Sequence, residues 1–219
     1  MFEDLREIIE TYKKRDPAAR TTFEILTLYP GVKATLAYKR ANWFYRRNMK
    51  YIARWISNRA RRRTGIEIHP GATIGRRLVI DHGMGVVIGE TAELGDDVLL
   101  YQGVTLGGTG KETGKRHPTI GNNVLVGSGA KILGPFKVGD NSRIAANAVV
   151  LSEIPPNSTA VGVPAKIVKI DGHKINFAAE VDHVRDIHDP IAKELTFLRE
   201  IVENLPCPAD SSESDDKKQ

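Results

Sequence analysis

Three places in the chain put titratable side chains at a break in a regular pattern or within one coil of it. One is His82, beside the run Gly83-Met84-Gly85. A second is Lys115-Arg116-His117, at the end of a Gly-rich stretch that begins Leu106-Gly107-Gly108-Thr109-Gly110. The third is Glu67, fifteen residues before His82. Histidine titrates near neutral pH, so it can take and return a proton within one reaction. A carboxylate set against it fixes which ring nitrogen carries the proton. Arginine suits a carboxylate ligand, because its planar fork bonds two oxygens at once. Taken alone, a histidine in a turn reads as a surface residue, and the cations of a loop read as solvated charge.

The elements that must position these residues follow from one period. An aliphatic residue returns every six positions at Ile68, Ile74, Ile80 and Val86, then at Ile88, Leu94, Leu100 and Leu106. It resumes at Ile120, Val126, Ile132, Val138, Ile144 and Val150, and Gly follows directly at seven of the fourteen positions. A strand sends alternate side chains to one face, so residues i and i+4 point the same way. Here the alternation resets every six residues, often at a glycine, which tolerates backbone angles closed to other residues. A chain that runs straight, turns and repeats is a β-helix, each coil burying its inner face on the next. A sandwich of short strands has no reason to keep phase. The period slips twice, by two residues around Gly83-Met84-Gly85 and by a fourteen-residue spacing from Leu106 to Ile120. Solenoids accept insertions as loops leaving the wall, and such loops carry function. With about eighteen residues per coil, Glu67 and His82 fall in neighbouring layers.

Composition narrows the class. The 219 residues are 41% hydrophobic, with a single Cys207, so there is neither a disulfide frame nor a cysteine metal site. The cysteine usage and the start Met-Phe-Glu-Asp point to the cytoplasm rather than to export. No apolar run reaches the roughly 20 residues needed to span a bilayer. Net charge is +5, and Ile25 to Ile66 contains no acid. That stretch reads as a solvated helix face rather than a nucleic-acid or membrane surface, with a polyanionic ligand or an acidic partner subunit as the alternatives. Residues 1–64 form a helical N-terminal domain, with helices predicted over 2–14, 32–47 and 49–63. Asp16 fits a helix N-cap with Pro17 at the first helical position. Leu36, Trp43, Phe44, Tyr51, Ile52, Trp55 and Ile56 form an apolar stripe expected to cover the open first coil. The solenoid occupies 65–168. Beyond it, 169–219 is read as a linker, a helix over 189–204 and a disordered tail.

Several stretches resemble serine O-acetyltransferases: Ile66-Glu67-Ile68-His69-Pro70-Gly71-Ala72, Ile80-Asp81-His82-Gly83-Met84-Gly85 with Val86 to Thr91, Gly103 to Lys111, Lys115-Arg116-His117-Pro118 and Gly162-Val163-Pro164-Ala165. The resemblance implies a mainly β, left-handed parallel β-helix that works as a trimer or a pair of trimers. It also implies acetyl transfer from acetyl-CoA, with no metal, to the L-serine hydroxyl, giving O-acetyl-L-serine for cysteine synthesis. By resemblance His82 is the general base, Glu67 stands where the family has an orienting Asp, and His117 matches a second histidine near the reacting centre. Asp16 and Asp81 match positions for the substrate ammonium, and Arg116 the position for its carboxylate. Gly107, Gly108 and Thr109 would offer N–H groups to the thioester oxygen. Ser128, Lys131 and Lys166 fall along the cofactor groove between subunits, and His69 reads as structural.

The chain also departs from the family. Ser128 replaces an Ala, and Ala145-Ala146-Asn147 replaces Gly-Ala-Gly. Many relatives carry some seventy further N-terminal residues that dock two trimers, which makes a lone trimer the simpler expectation here. Relatives often end in the Ile that enters O-acetylserine sulfhydrylase; this chain ends Asp-Lys-Lys-Gln, so a stable complex with that enzyme is not expected. Alternative functions are transfer to another hydroxyl or amine, a metal hydrase and a non-catalytic scaffold. The hydrase needs repeat histidines at set spacing, and the His-x4-His at His183 and His188 lies outside the repeats.

Overall fold

The computed structural model describes residues 2–110 and 113–175. Four helices come first: α1 (Phe2–Arg15), α2 (Thr22–Leu28), α3 (Pro30–Arg46) and α4 (Lys50–Thr64). Thr21 caps α2 by accepting from the Glu24 N–H. Pro30 opens α3, where its missing N–H costs nothing. Gly65 ends α4 in a left-handed turn at φ 71°. No helix starts at Pro17. Asp16 instead accepts from the Ala18 N–H at 2.8 Å in a local turn, so the predicted cap is a turn.

Short strands then wind in coils of three. The first coil holds β1 (Glu67–Ile68), β2 (Thr73–Ile74) and β3 (Val79–Ile80); the second β4 (Val87–Ile88), β5 (Glu93–Leu94) and β6 (Leu99–Leu100). The third holds β7 (Thr105–Gly107), β8 (Thr119–Ile120) and β9 (Leu125–Val126); the fourth β10 (Lys131–Leu133), β11 (Lys137–Val138) and β12 (Arg143–Ile144). The chain closes with β13 (Val149–Val150), β14 (Ser158–Val161), β15 (Lys166–Ile170) and β16 (His173–Lys174). Every third strand stacks in parallel register, giving a β1-β4-β7-β10-β13 face, a β2-β5-β8-β11 face and a β3-β6-β9-β12-β14 face. Along the first face Glu67 pairs with Val87, Val87 with Thr105, Thr105 with Lys131 and Lys131 with Val149. Successive turns therefore take 20, 18, 26 and 18 residues, and the two long turns hold the two phase breaks.

The hexad side chains form one core from Ile66 to Ala160, all buried except the half-buried Ile74. Each buried Ile, Leu or Val contributes about 1.5–3 kcal/mol relative to exposure. At the corner between the β2 and β3 faces, Asn123, Asn141, Asn157 and Asp171 all take positive φ. Their side chains bond in a ladder: Asn123 to Asn141 at 3.0 Å, Asn141 to Asn157 at 3.0 Å and Asn157 to Asp171 at 2.8 Å. Asn and Asp tolerate that backbone region better than other side chains that bear a Cβ.

The helices do cover the open first coil, but not with the aromatic stripe. Ser57 donates to the Ile68 carbonyl at 2.7 Å, Asn42 to Pro70 at 2.8 Å and Tyr38 to Ala72 at 2.6 Å. The Tyr12 hydroxyl meets both backbone groups of Ile80, accepting from its N–H at 3.1 Å and donating to its carbonyl at 3.2 Å. Strand-edge groups that would face water, or another chain, are thereby satisfied. Trp43, Tyr51, Ile52 and Trp55 remain exposed, with Tyr51 at 85%. At the other end β14, β15 and β16 form antiparallel hairpins, so the stretch read as a linker from 169 begins inside a strand. The predicted helix over 189–204 and the tail lie outside the described residues.

Candidate active site

His82 stands on the corner joining β3 to β4. The next corner of that column, after β6, needs only Tyr101-Gln102-Gly103 before Val104; this one needs Asp81 through Gly85 before Val86. The longer loop stays in the wall: Gly85 N–H bonds to the Gly65 carbonyl at 2.9 Å, and Gly103 N–H to the Met84 carbonyl at 2.8 Å. The surplus length appears in the backbone, where His82 itself takes φ 57°. A side chain that bears a Cβ rarely adopts that region, and such outliers concentrate at functional sites. Its ring is 75% exposed, with Nε2 4.0 Å from Asp81 Oδ1.

Glu67 starts β1 on the neighbouring face. Its Oε2 accepts from Arg61 at 2.9 Å, and no hydrogen bond among the described residues joins it to His82. Oε1 is left to accept another donor. Asp16 sits between α1 and α2. Its Oδ1 is held by the Ala18 N–H, and its Oδ2 accepts from the Tyr29 hydroxyl at 2.7 Å. Tyr29 in turn meets the edge of Tyr12, ring centroids 5.6 Å apart at 86°. Asp16 and Asp81 both raise the phenols of Tyr12 and Tyr29, so these carboxylates share one neighbourhood. Burial is the larger cause in each case, and it takes Tyr29 up to about 12.

Arg116 and His117 belong to a second cluster, at the opposite end of the β4 strand. Arg116 donates to Glu90 Oε2 at 2.7 Å, while Tyr45 donates to Glu90 Oε1 at 3.0 Å. The Tyr45 hydrogen bond, then His69 and Arg116, hold the Glu90 carboxyl below its ordinary value despite partial burial. Thr91 Oγ1 accepts from the backbone N–H groups of Arg116 at 3.0 Å and His117 at 3.2 Å, pinning the end of the long loop. The Thr91 N–H donates to His117 Nδ1 at 3.2 Å. A backbone N–H can only donate, so Nδ1 is bare and the His117 proton sits on Nε2. Burial, and then Arg116, lowers the pKa of this ring and keeps it neutral. The ring packs directly against Gly89, where any Cβ would overlap it. His69 accepts from the Gly71 N–H at 3.0 Å.

The two clusters flank one strand. From Val86 to Gly89 the chain spans about 10 Å if extended, and no hydrogen bond described among these residues links His82 to Arg116 or His117. Lys131 spends its ammonium on the Gly103 carbonyl, on the corner below His82. Gly85, Gly103 and Gly129 stack there with positive φ and leave a wall without side chains, interrupted at Asn147. Ser128 lies on the same corner and Lys166 opens β15. Gly108 packs on the Arg116 side chain, so the predicted oxyanion stretch Gly107-Gly108-Thr109 belongs with the second cluster. Sequence reasoning missed Tyr12, Tyr29, Tyr45, Glu90, Thr91 and Arg61. Glu90 and Thr91 lay inside a quoted motif, but nothing in the spacing of the tyrosines marks them.

Residues 117–152 match the family model "Bacterial transferase hexapeptide (six repeats)". The chain is 61% identical over 168 residues to a serine acetyltransferase of Helicobacter pylori strain J99, covering 77% of this chain and 98% of that protein. It is 48% identical to the serine acetyltransferase of Bacillus subtilis strain 168, over 100% of this chain and 97% of that one. The crystal structure of Neisseria gonorrhoeae serine acetyltransferase in complex with serine superposes with TM-score 0.74 at 40% identity, over 77% of this chain and 69% of that one. The coil is accordingly a left-handed β-helix.

Proposed function

The chain belongs to the serine acetyltransferase family and acetylates serine from acetyl-CoA; within that activity we propose that His82 is the general base, in sites shared between the subunits of a trimer. A serine hydroxyl is a poor nucleophile at neutral pH. The imidazole takes its proton as the oxygen attacks the thioester carbonyl. The tetrahedral oxyanion so formed is held by N–H groups of Gly107-Gly108-Thr109, then collapses to O-acetylserine and expels the CoA sulfur, which recovers the proton. Glu67 orients the ring through Oε1 while Arg61 keeps Oε2. Asp16 and Asp81 face the ammonium, and Arg116 faces the carboxylate of serine. His117, neutral and protonated at Nε2, serves as a hydrogen-bond donor rather than a second base. Neighbouring solenoids side by side would bring the His82 corner of one against the Arg116 corner of the next. The glycine column beneath His82 would admit the thin arm of acetyl-CoA, and Lys166 and Ser128 lie further along it. The single cysteine supports a cytoplasmic setting.

The observation that carries this reading is the lengthened corner, which lifts one exposed imidazole out of the wall in a backbone conformation few residues accept. Wild type and His82→Ala, assayed with acetyl-CoA and L-serine, test it. A general base contributes about 10²–10⁴-fold, so turnover falls by that factor while the fold persists. Unchanged turnover in His82→Ala overturns the role.

A further inference from the structure

The two carboxylates expected to face the ammonium of serine sit on unlike supports. Asp81 extends a strand edge, whereas Asp16 lies in a short turn between two helices. A turn carboxylate rotates about two side-chain bonds unless something fixes it. Here one oxygen is tied to its own turn, and the other accepts from Tyr29 at 2.7 Å. Two accepted bonds leave about two of the four lone-pair sites of the carboxylate for a ligand.

Tyr29 is itself braced. Its ring meets Tyr12, which is 2% exposed and bonds both backbone groups of Ile80, the residue before Asp81. Gly31, at the start of α3, presses on the same spot: a Cβ there would overlap the Tyr12 hydroxyl and the Ile80 carbonyl oxygen. The end of α1, the α2–α3 junction and the end of β3 thus meet at one node, and both carboxylates hang from it.

We propose that Tyr29, braced by Tyr12, is a positioning residue that holds Asp16 beside Asp81 as a two-carboxylate receptor for the substrate ammonium. The inference rests on the assignment of Asp16 to the serine site. Because its phenol stays protonated across the physiological range, Tyr29 donates to Asp16 wherever the enzyme works.

Steady-state kinetics of wild type, Tyr29→Phe, Asp16→Asn and the double variant test it, with thermal unfolding measured alongside. Loss of one ordinary intramolecular hydrogen bond to the receptor carboxylate predicts a roughly five- to tenfold higher serine KM in Tyr29→Phe. The acetyl-CoA KM stays at its wild-type value, Tm falls by only a few degrees, and adding Tyr29→Phe to Asp16→Asn changes the serine KM no further. A serine KM within twofold of wild type in Tyr29→Phe overturns the proposal. So does a full additional loss in the Asp16→Asn background, or an equal rise in the acetyl-CoA KM. A serine KM untouched by Asp16→Asn overturns the underlying assignment, and this inference with it.

Discussion

His117 is committed to one tautomer by a donor that cannot reverse, the Thr91 backbone N–H, and its burial holds the ring neutral. His69 is likewise fixed by the Gly71 N–H and lowered by burial, then by Arg54. Both rings therefore have folded-state pKa values below the roughly 6.5 of an unfolded histidine. As pH falls through that value the unfolded chain takes up protons that the folded chain refuses, so stability drops. It is fully present above about pH 6.5 and is lost toward the lowered folded pKa. Tm measured from pH 7.5 to 5.5 should fall, and His117→Gln, which keeps an acceptor for Thr91, should flatten the fall; an unaltered slope would contradict this account. Lys115-Arg116-His117 was visible in the sequence because it breaks a period. Thr91, Glu90, Tyr45 and Tyr29 were not, since each acts through a partner 13 to 45 residues away and no local spacing encodes such a pairing.

At the scale of elements, the hexad period gave coil number, phase and both loop positions, because burial on one shared core allows no drift. The same logic misjudged the helices. Helical spacing shows that Trp43, Tyr51, Ile52 and Trp55 share a face, but not whether that face meets the coil. The face that does carries Ala34, Tyr38, Ala41, Ala53 and Ser57, small residues and hydroxyls suited to open carbonyls rather than to grease. Tyr38 is one of these caps, 7% exposed and bonded at 2.6 Å. Tyr38→Phe keeps the packing and leaves the Ala72 carbonyl with only its longer bond from Asn42 at 3.3 Å, a loss of about 0.5–1.5 kcal/mol. The denaturant midpoint should drop accordingly, with kcat unchanged; no shift would mean that the helices are held by packing alone.

For the molecule as a whole, the separation of the two clusters decides what the catalytic unit is. Within one chain, the His82 corner and the Arg116 corner lie at opposite edges of the β1-β4-β7-β10-β13 face, and the wall between them is a packed sheet. A ligand touching both within one chain would have to cross that face. If neighbouring subunits instead present unlike corners to each other, each site takes His82 from one chain and Arg116 from the next. Two inactive variants then complement. His82→Ala keeps a sound Arg116 corner, and Arg116→Ala keeps a sound His82 corner. Mixed one to one, unfolded and refolded together, they form random closed assemblies in which about a quarter of the junctions pair two intact corners. Serine acetylation should return to roughly that fraction of the wild-type rate. Sites built within single chains would return none, since every chain in the mixture is damaged at one corner or the other.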